Sequence, residues 1–134
     1  MSRENVEVVR ELYAGWSTGD FRVGLELFHT DLRFTIDGAI TPTPGEWSGV
    51  EGMRDAWREG LGAWEDYRTG PIEHLIESRD VVVAFNRMHG RGKQSRIDTD
   101  SPLWAAVFTF REGKIARLML TDLRGALEAV GLRE

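Results

Sequence analysis

The chain of 134 residues has no cysteine, only four prolines and only two tyrosines. Without cysteine there are no disulfides, no thiol nucleophile and no thiolate metal site. No apolar run approaches the roughly 20 residues that a membrane-spanning helix needs, so no membrane partner is expected. There is also no excess of basic residues. Against 17 Lys and Arg stand 22 Asp and Glu, a net charge of −5, with the arginines dispersed among acids. A nucleic-acid partner, which requires a concentrated basic face, is therefore not expected. The N-terminus Met1-Ser2-Arg3-Glu4-Asn5 lacks the basic and then apolar sections of a secretory signal, from which a cytoplasmic location is expected. No His/Asp/Glu group has metal-ligand spacing, and neither a glycine-rich phosphate loop nor a nucleophile elbow occurs, so no metal and no cofactor are expected.

The remaining composition, 41% hydrophobic and 29% charged, is that of an ordinary globular chain, and its length suits one domain over residues 1–134. Val6, Val9, Tyr13 and Trp16 recur at helical spacing among charged residues, which predicts an amphipathic helix over 3–17. Asp20 can cap a second, shorter helix through Phe28. A strand is expected at 32–37. Thr41-Pro42-Thr43-Pro44-Gly45 makes 38–47 a loop and a candidate lid, because proline denies it ladder hydrogen bonds. Ser48 and Glu51 have capping-box spacing ahead of Val50, Met53, Trp57, Leu61 and Trp64, which predicts a third helix over 49–65.

From Pro71 the period becomes two, predicting strands at 72–78, 80–89, 102–110 and 115–121. Arg111-Glu112-Gly113-Lys114 supplies a hairpin turn with Gly113 at positive φ, and Gly90 to Ser95 a looser connection. Asp122 to Val130 forms a terminal helical turn stopped by Gly131. Helices followed by a run of antiparallel strands belong to the α+β class. Five tryptophans exceed what a minimal core needs. Trp16, Trp57 and Trp64 are core filler on one reading and cavity lining on the other.

Three strings carry a resemblance: Glu11 to Asp20 (Y-x-x-W-x-x-G-D), Leu27 to Phe34 (L-F-x-x-D-x-x-F) and Trp47 to Met53 (W-x-G-x-x-G-M), with the tail Ala126 to Leu132. On them the chain resembles the NTF2-like superfamily over nearly its whole length, in the SnoaL-like branch around polyketide cyclases and ketosteroid isomerase. The resemblance implies a cone-shaped, cystatin-like fold with three N-terminal helices packed on a curved, mostly antiparallel sheet. It also implies an interior cavity for a small apolar molecule. It specifies chemistry poorly, since the superfamily holds isomerases, dehydratases, epoxide hydrolases, cyclases and members without catalysis.

In such folds one or two acids inside an apolar chamber do the work, burial having raised their pKa. The resemblance puts Asp37 where the isomerase has its proton-abstracting aspartate; the alternative is an Asp37-Gly38 turn with a solvated carboxylate. The isomerase's oxyanion donors fall near Leu12 and Ala106, which cannot donate, so steroid isomerisation is not expected. Tyr13 lies one residue out of register with that enzyme's tyrosine. Register against the family turns Val82, Ala84, Asn86 and Met88 inward, where Asn86 orients a ligand or is satisfied structurally. Trp104, Ala106 and Phe108, and then Leu118, Leu120 and Asp122, complete the wall. Asp122 lies about two residues from an acid of the cyclases and epoxide hydrolases, but suits a helix cap equally. His89 is a further acid/base candidate or a solvent-facing hairpin residue; His29 and His74 are weaker.

The resulting candidates are Asp37, Asp122 and His89 for catalysis, and Tyr13, Trp16, Trp57, Asn86, Met88, Trp104, Phe108, Leu118 and Leu120 for binding. The expected function is cofactor-free isomerisation, cyclisation or hydration of a small hydrophobic molecule. The alternatives are a non-catalytic binding domain and a dimerisation module, a homodimer pairing outer sheet faces through Val81, Val83, Phe85, Arg87 and Val107.

Overall fold

The computed structural model describes residues 2–41, 43–62 and 64–131. Helix α1 spans Ser2–Trp16. Its buried side chains Val9, Leu12, Tyr13 and Trp16 fall at the i, i+3, i+4, i+7 positions of a single stripe. The helix closes with Ser17 N–H donating to Tyr13 O at 2.8 Å. The expected second helix does not form. Asp20 Oδ1 accepts from Arg22 N–H at 3.0 Å, but Gly24 takes a left-handed φ of 70° and only a single 3-10 turn follows at Leu25–Leu27. A stretch so short cannot repay the cost of helix nucleation once glycine interrupts it.

Strand β1 (Phe28–Ile36) is longer than the expected 32–37 and is joined by β2 (Gly45–Ser48), so Trp47 belongs to a strand and not to the loop. Pro42 lies outside the described residues. Helix α2 (Gly49–Leu61) buries Met53 and Ala56, with Ser48 at its N-cap making no side-chain bond. Instead of completing a capping box, Glu51 pairs with Arg54 at 3.2 Å. The helix ends at Leu61, between Gly60 and Gly62, and Trp64 opens strand β3 (Trp64–Thr69) rather than extending the helical face. Strand β4 is His74–Ser78.

The strand expected over 80–89 is two strands, β5 (Val81–Asn86) and β6 (Met88–Gly92), which bend apart at Arg87. Gly70 N–H donates to Arg87 O at 2.7 Å there. A Cβ on Gly70 would lie 3.1 Å from that oxygen, tighter than an ordinary contact, so a side chain there would press on the backbone at the bend. A short β7 (Asp98–Asp100), not anticipated from the sequence, follows; then come β8 (Trp104–Arg111) and β9 (Lys114–Thr121). The hairpin between the last two has Glu112 at φ 56° and Gly113 at φ 79°, the two left-handed residues that match the twist of its strands.

The main sheet runs β2-β1-β9-β8-β5-β4, and a smaller one β3-β6-β7. All pairings are antiparallel except β1 with β9. Alternation sends Val82, Ala84, Ala106, Phe108 and Leu118 inward to pack with α1 and α2. The opposite faces of the same strands carry Val83, Phe85, Ala105 and Val107, which bury Ala126 of a third helix, α3 (Leu123–Ala129). Two helices therefore cover the inner face and the third, at the C-terminal end, covers the outer one. That corrects the expected three N-terminal helices. Of the residues expected to pair with a second copy, Val83, Phe85 and Val107 are 0%, 3% and 4% exposed within this one chain, whereas Val81 is half-buried and Arg87 exposed. Leu132, the end of the tail string, lies outside the described residues.

Candidate functional site: an apolar cavity and its mouth

Between α1, α2 and the concave face of the main sheet lies a cavity of about 40 Å³. Tyr13 and Trp16 enter it from α1, Trp57 from α2, Asn86 and Met88 from the β5/β6 bend, and Trp104, Leu118 and Leu120 from β8 and β9. Phe108 does not reach it. Its ring is fully buried behind Trp16, stacked on the indole at a centroid distance of 6.2 Å. Trp16 is further held by Phe21 at 6.2 Å and, edge-on, by Trp57 at 5.5 Å. The walls are thus ring faces and edges fixed by one another.

Polar groups in the wall are few and neutral. Tyr13 Oη donates to Asn86 Oδ1 at 2.7 Å, a buried bond between α1 and β5. Asn86 Nδ2 donates to Arg87 O at 3.2 Å and faces Met88 Sδ at 3.5 Å. Burial pushes the Tyr13 phenol far above its usual value, so it stays protonated. Thr69 at the end of β3 and Phe21 after α1 also line the cavity and were missed in the sequence. Tyr67 and Thr69 flank Arg68 with period-two alternation, a signal for a strand, but the bulge at Asp66, with φ 53°, interrupts it.

The two candidate acids lie elsewhere. From inward Phe34 the alternation of β1 places Asp37 on the outer face, where its Oδ2 accepts from Thr121 Oγ1 at 2.7 Å. Asp37 lines a separate outer groove of about 370 Å³ with Arg117, Met119 and Glu128. None of the described residues of the loop after Asp37 lines the cavity, so the loop is not placed as a lid. Strand β9 ends at Thr121, and Asp122 Oδ1 accepts from Gly125 N–H at 2.9 Å as the N-cap of α3. Asp122 takes the cap role rather than completing the wall.

His89, on β6, does adjoin the cavity. It lines an open groove of about 660 Å³ with Arg10, Arg68 and Ile72, and this groove shares Tyr13 and Thr69 with the cavity. His89 Nδ1 lies 2.7 Å from Asp100 Oδ1 on β7, a pairing that assigns the proton to Nδ1 and leaves Nε2 toward other partners. His29 sits at the far hairpin, 3.4 Å from Glu112, and His74 is exposed on β4. Among the described residues no group of His, Asp and Glu could hold a metal ion, and no helix is long and apolar enough to cross a membrane.

Residues 9–118 match the SnoaL-like domain family. The chain belongs to the SnoaL-like family. Solved structures similar to this SnoaL-like chain share its fold at low identity. An NTF2-like protein of unknown function from Burkholderia pseudomallei superposes with a TM-score of 0.76 at 18% identity, over 95% of this chain and 97% of that one. A protein from Jannaschia described as a SnoaL-like polyketide cyclase gives 0.75 at 19%, over 99% and 95%. A ketosteroid isomerase-like fold from Catenulispora acidiphila, in complex with trimethylamine, gives 0.69 at 18%, over 95% and 94%. No curated protein matches this SnoaL-like chain.

Proposed function

We propose that this SnoaL-like chain binds a small, uncharged, largely apolar molecule in the cavity between α1, α2 and the main sheet. One observation carries the reading: among the described residues no charged side chain lines the cavity, and the polar groups its lining residues carry are a phenol, an amide, a hydroxyl and indole N–H groups. A buried charge without a partner would be costly in such a wall, whereas apolar surface gains by leaving water. The cavity is smaller than the roughly 150 Å³ that holds a benzene ring, so the resting site suits few heavy atoms. The neighbour bound to trimethylamine and the one described as a polyketide cyclase are consistent with a small-molecule site.

Acid/base turnover of the bound molecule is a second reading, favoured by the His89–Asp100 pair at the cavity mouth. In this reading a carboxylate-oriented imidazole moves the proton, and Asp37 and Asp122 take no part. Both readings meet in one set of measurements on wild type, Leu120→Trp, which fills the cavity, and His89→Ala. Small neutral apolar molecules should raise the melting temperature of wild type and of His89→Ala, and not that of Leu120→Trp. Turnover of an enolisable carbonyl compound should vanish in His89→Ala. An unmoved wild-type melting temperature across the panel would sink the binding reading, and equal turnover in His89→Ala the catalytic one.

A further inference from the structure

The open groove of about 660 Å³ beside the cavity is lined by Arg10, Arg68 and His89, and among the described residues no carboxylate lines it. Two other grooves of the surface are unlike it: Asp37 and Glu128 line one, and Glu4, Asp80 and Glu112 the other. In a chain of net charge −5, a groove with cations and no acid sets up a local field opposite to that of the whole molecule. The acids of the strands beside it are already engaged. Asp100 pairs with His89 at 2.7 Å, Asp98 with Arg91 at 2.9 Å and Glu65 with Arg96 at 2.7 Å. The carboxylate of Asp98, held below its usual range chiefly by its hydrogen bond to Arg91, feels Arg68 only as a weaker charge. Arg68 spends one N–H on the backbone oxygen of Asp66 at 3.2 Å, and Arg10 makes no ion pair with any described residue. Two guanidinium groups from separate elements, α1 and β3, thus border one space without a counter-charge.

We propose that this groove is a second binding site, for a small organic monocarboxylate: Arg10 and Arg68 hold the carboxylate, and the apolar body lies along Ala14, Pro71 and Ile72. The proposal stands apart from the cavity-binding reading, since the neutral cavity and the cationic groove select opposite chemistries. A guanidinium presents paired N–H donors in the geometry of a carboxylate, and it keeps its charge at any physiological pH. The remaining wall, in which Ala14, Pro71 and Ile72 carry no charge, favours an acid with an apolar body over a bare inorganic anion. The imidazole adds little to the hold, because its Nδ1 is taken by Asp100.

Three probes test it: phenylacetate, its neutral analogue phenylacetamide and inorganic phosphate, each titrated into the full 15N-labelled chain at one low ionic strength, where exposed charges are least screened. Phenylacetate should shift the amides of Arg68, Thr69, Gly70 and Ile72 in a saturable way, and bind more tightly than the other two. Arg10→Gln and Arg68→Gln should each weaken phenylacetate about three- to tenfold and leave phenylacetamide unchanged, the loss of a charged donor at a partly exposed site. Arg10 is exposed on α1, so its variant should fold even if that of half-buried Arg68 does not. Arg124→Gln, on α3 and outside the groove, should change nothing. Phenylacetamide or phosphate binding as tightly as phenylacetate, or an Arg124→Gln loss equal to that of Arg10→Gln, would overturn the proposal. So would the absence of any saturable shift at the groove. Leu120→Trp, which fills the cavity, should leave phenylacetate affinity unchanged. A loss there would put the acid in the cavity and overturn the groove as its site, whereas failure of neutral molecules to bind the cavity leaves the groove untouched.

Discussion

Tyr13 links the inner helix to the bend of the sheet, and its phenol is the best-defined polar group of the cavity. Tyr13→Phe leaves Asn86 Oδ1 without its donor, and an unsatisfied buried acceptor costs about 1–3 kcal/mol. Urea unfolding at neutral pH should show that loss. The same residue gives a pH signature. Burial raises the pKa of Tyr13, and Tyr67 is pushed up to about 12 by the same cause, so both keep their protons in the folded chain after an unfolded tyrosine, near pH 10, has lost its own. A raised folded pKa contributes stability that is complete below about pH 10 and drains away as pH rises from there. Wild type should therefore lose stability between about pH 10 and 12 more steeply than Tyr13→Phe, in which only Tyr67 remains. Parallel curves for the two proteins would contradict the burial of this phenol.

The elements carry a second consequence through α3, which folds back over the outer sheet face and buries Ala126 against Val83, Phe85 and Val107. Asp122 is the cap that starts it. Asp122→Ala should lower stability by about 1 kcal/mol, typical for a lost N-cap, while ligand affinity in the cavity stays unchanged. A loss of binding with no loss of stability would return Asp122 to the site. At this scale helix α1 and the alternating strands were legible in the sequence, because Val6, Val9, Tyr13 and Trp16 repeat at the helical period and Val82 to Asn86 at the strand period. The break at Arg87 was not legible. It depends on Gly70 approaching from a segment 17 positions away, as the difference of the two residue numbers shows, and no local period reports such a contact.

For the whole molecule, the question is what the outer face does. The sequence suggested a second copy on Val81, Val83, Phe85, Arg87 and Val107, but Val83, Phe85 and Val107 are already buried within the chain, in a cluster that includes Ala126 of α3, and Arg87 pairs with Glu73 at 3.2 Å. Light scattering at micromolar concentration should accordingly give the mass of one chain, about 15.2 kDa. Twice that mass, persisting with α3 in place by hydrogen exchange, would show that another face pairs.

The sequence by itself determined the family, the α+β class, the helix α1, most strands and the apolar character of the interior, since these follow from local period and from strings such as Leu27 to Phe34. It also contained, unread, the outward direction of Asp37: Phe34 and Ile36 face inward, so their neighbour at 37 faces out. Only the tertiary structure decided which polar groups meet. The Tyr13–Asn86 bond spans 73 positions. The shared wall of the cavity and the His89 groove, and the placing of Arg10 and Arg68 on that one groove, arise where α1, β3 and the β5/β6 bend converge. Periodicity fixes the side of an element on which a residue lies, but the partner it meets depends on how elements far apart in the chain pack together.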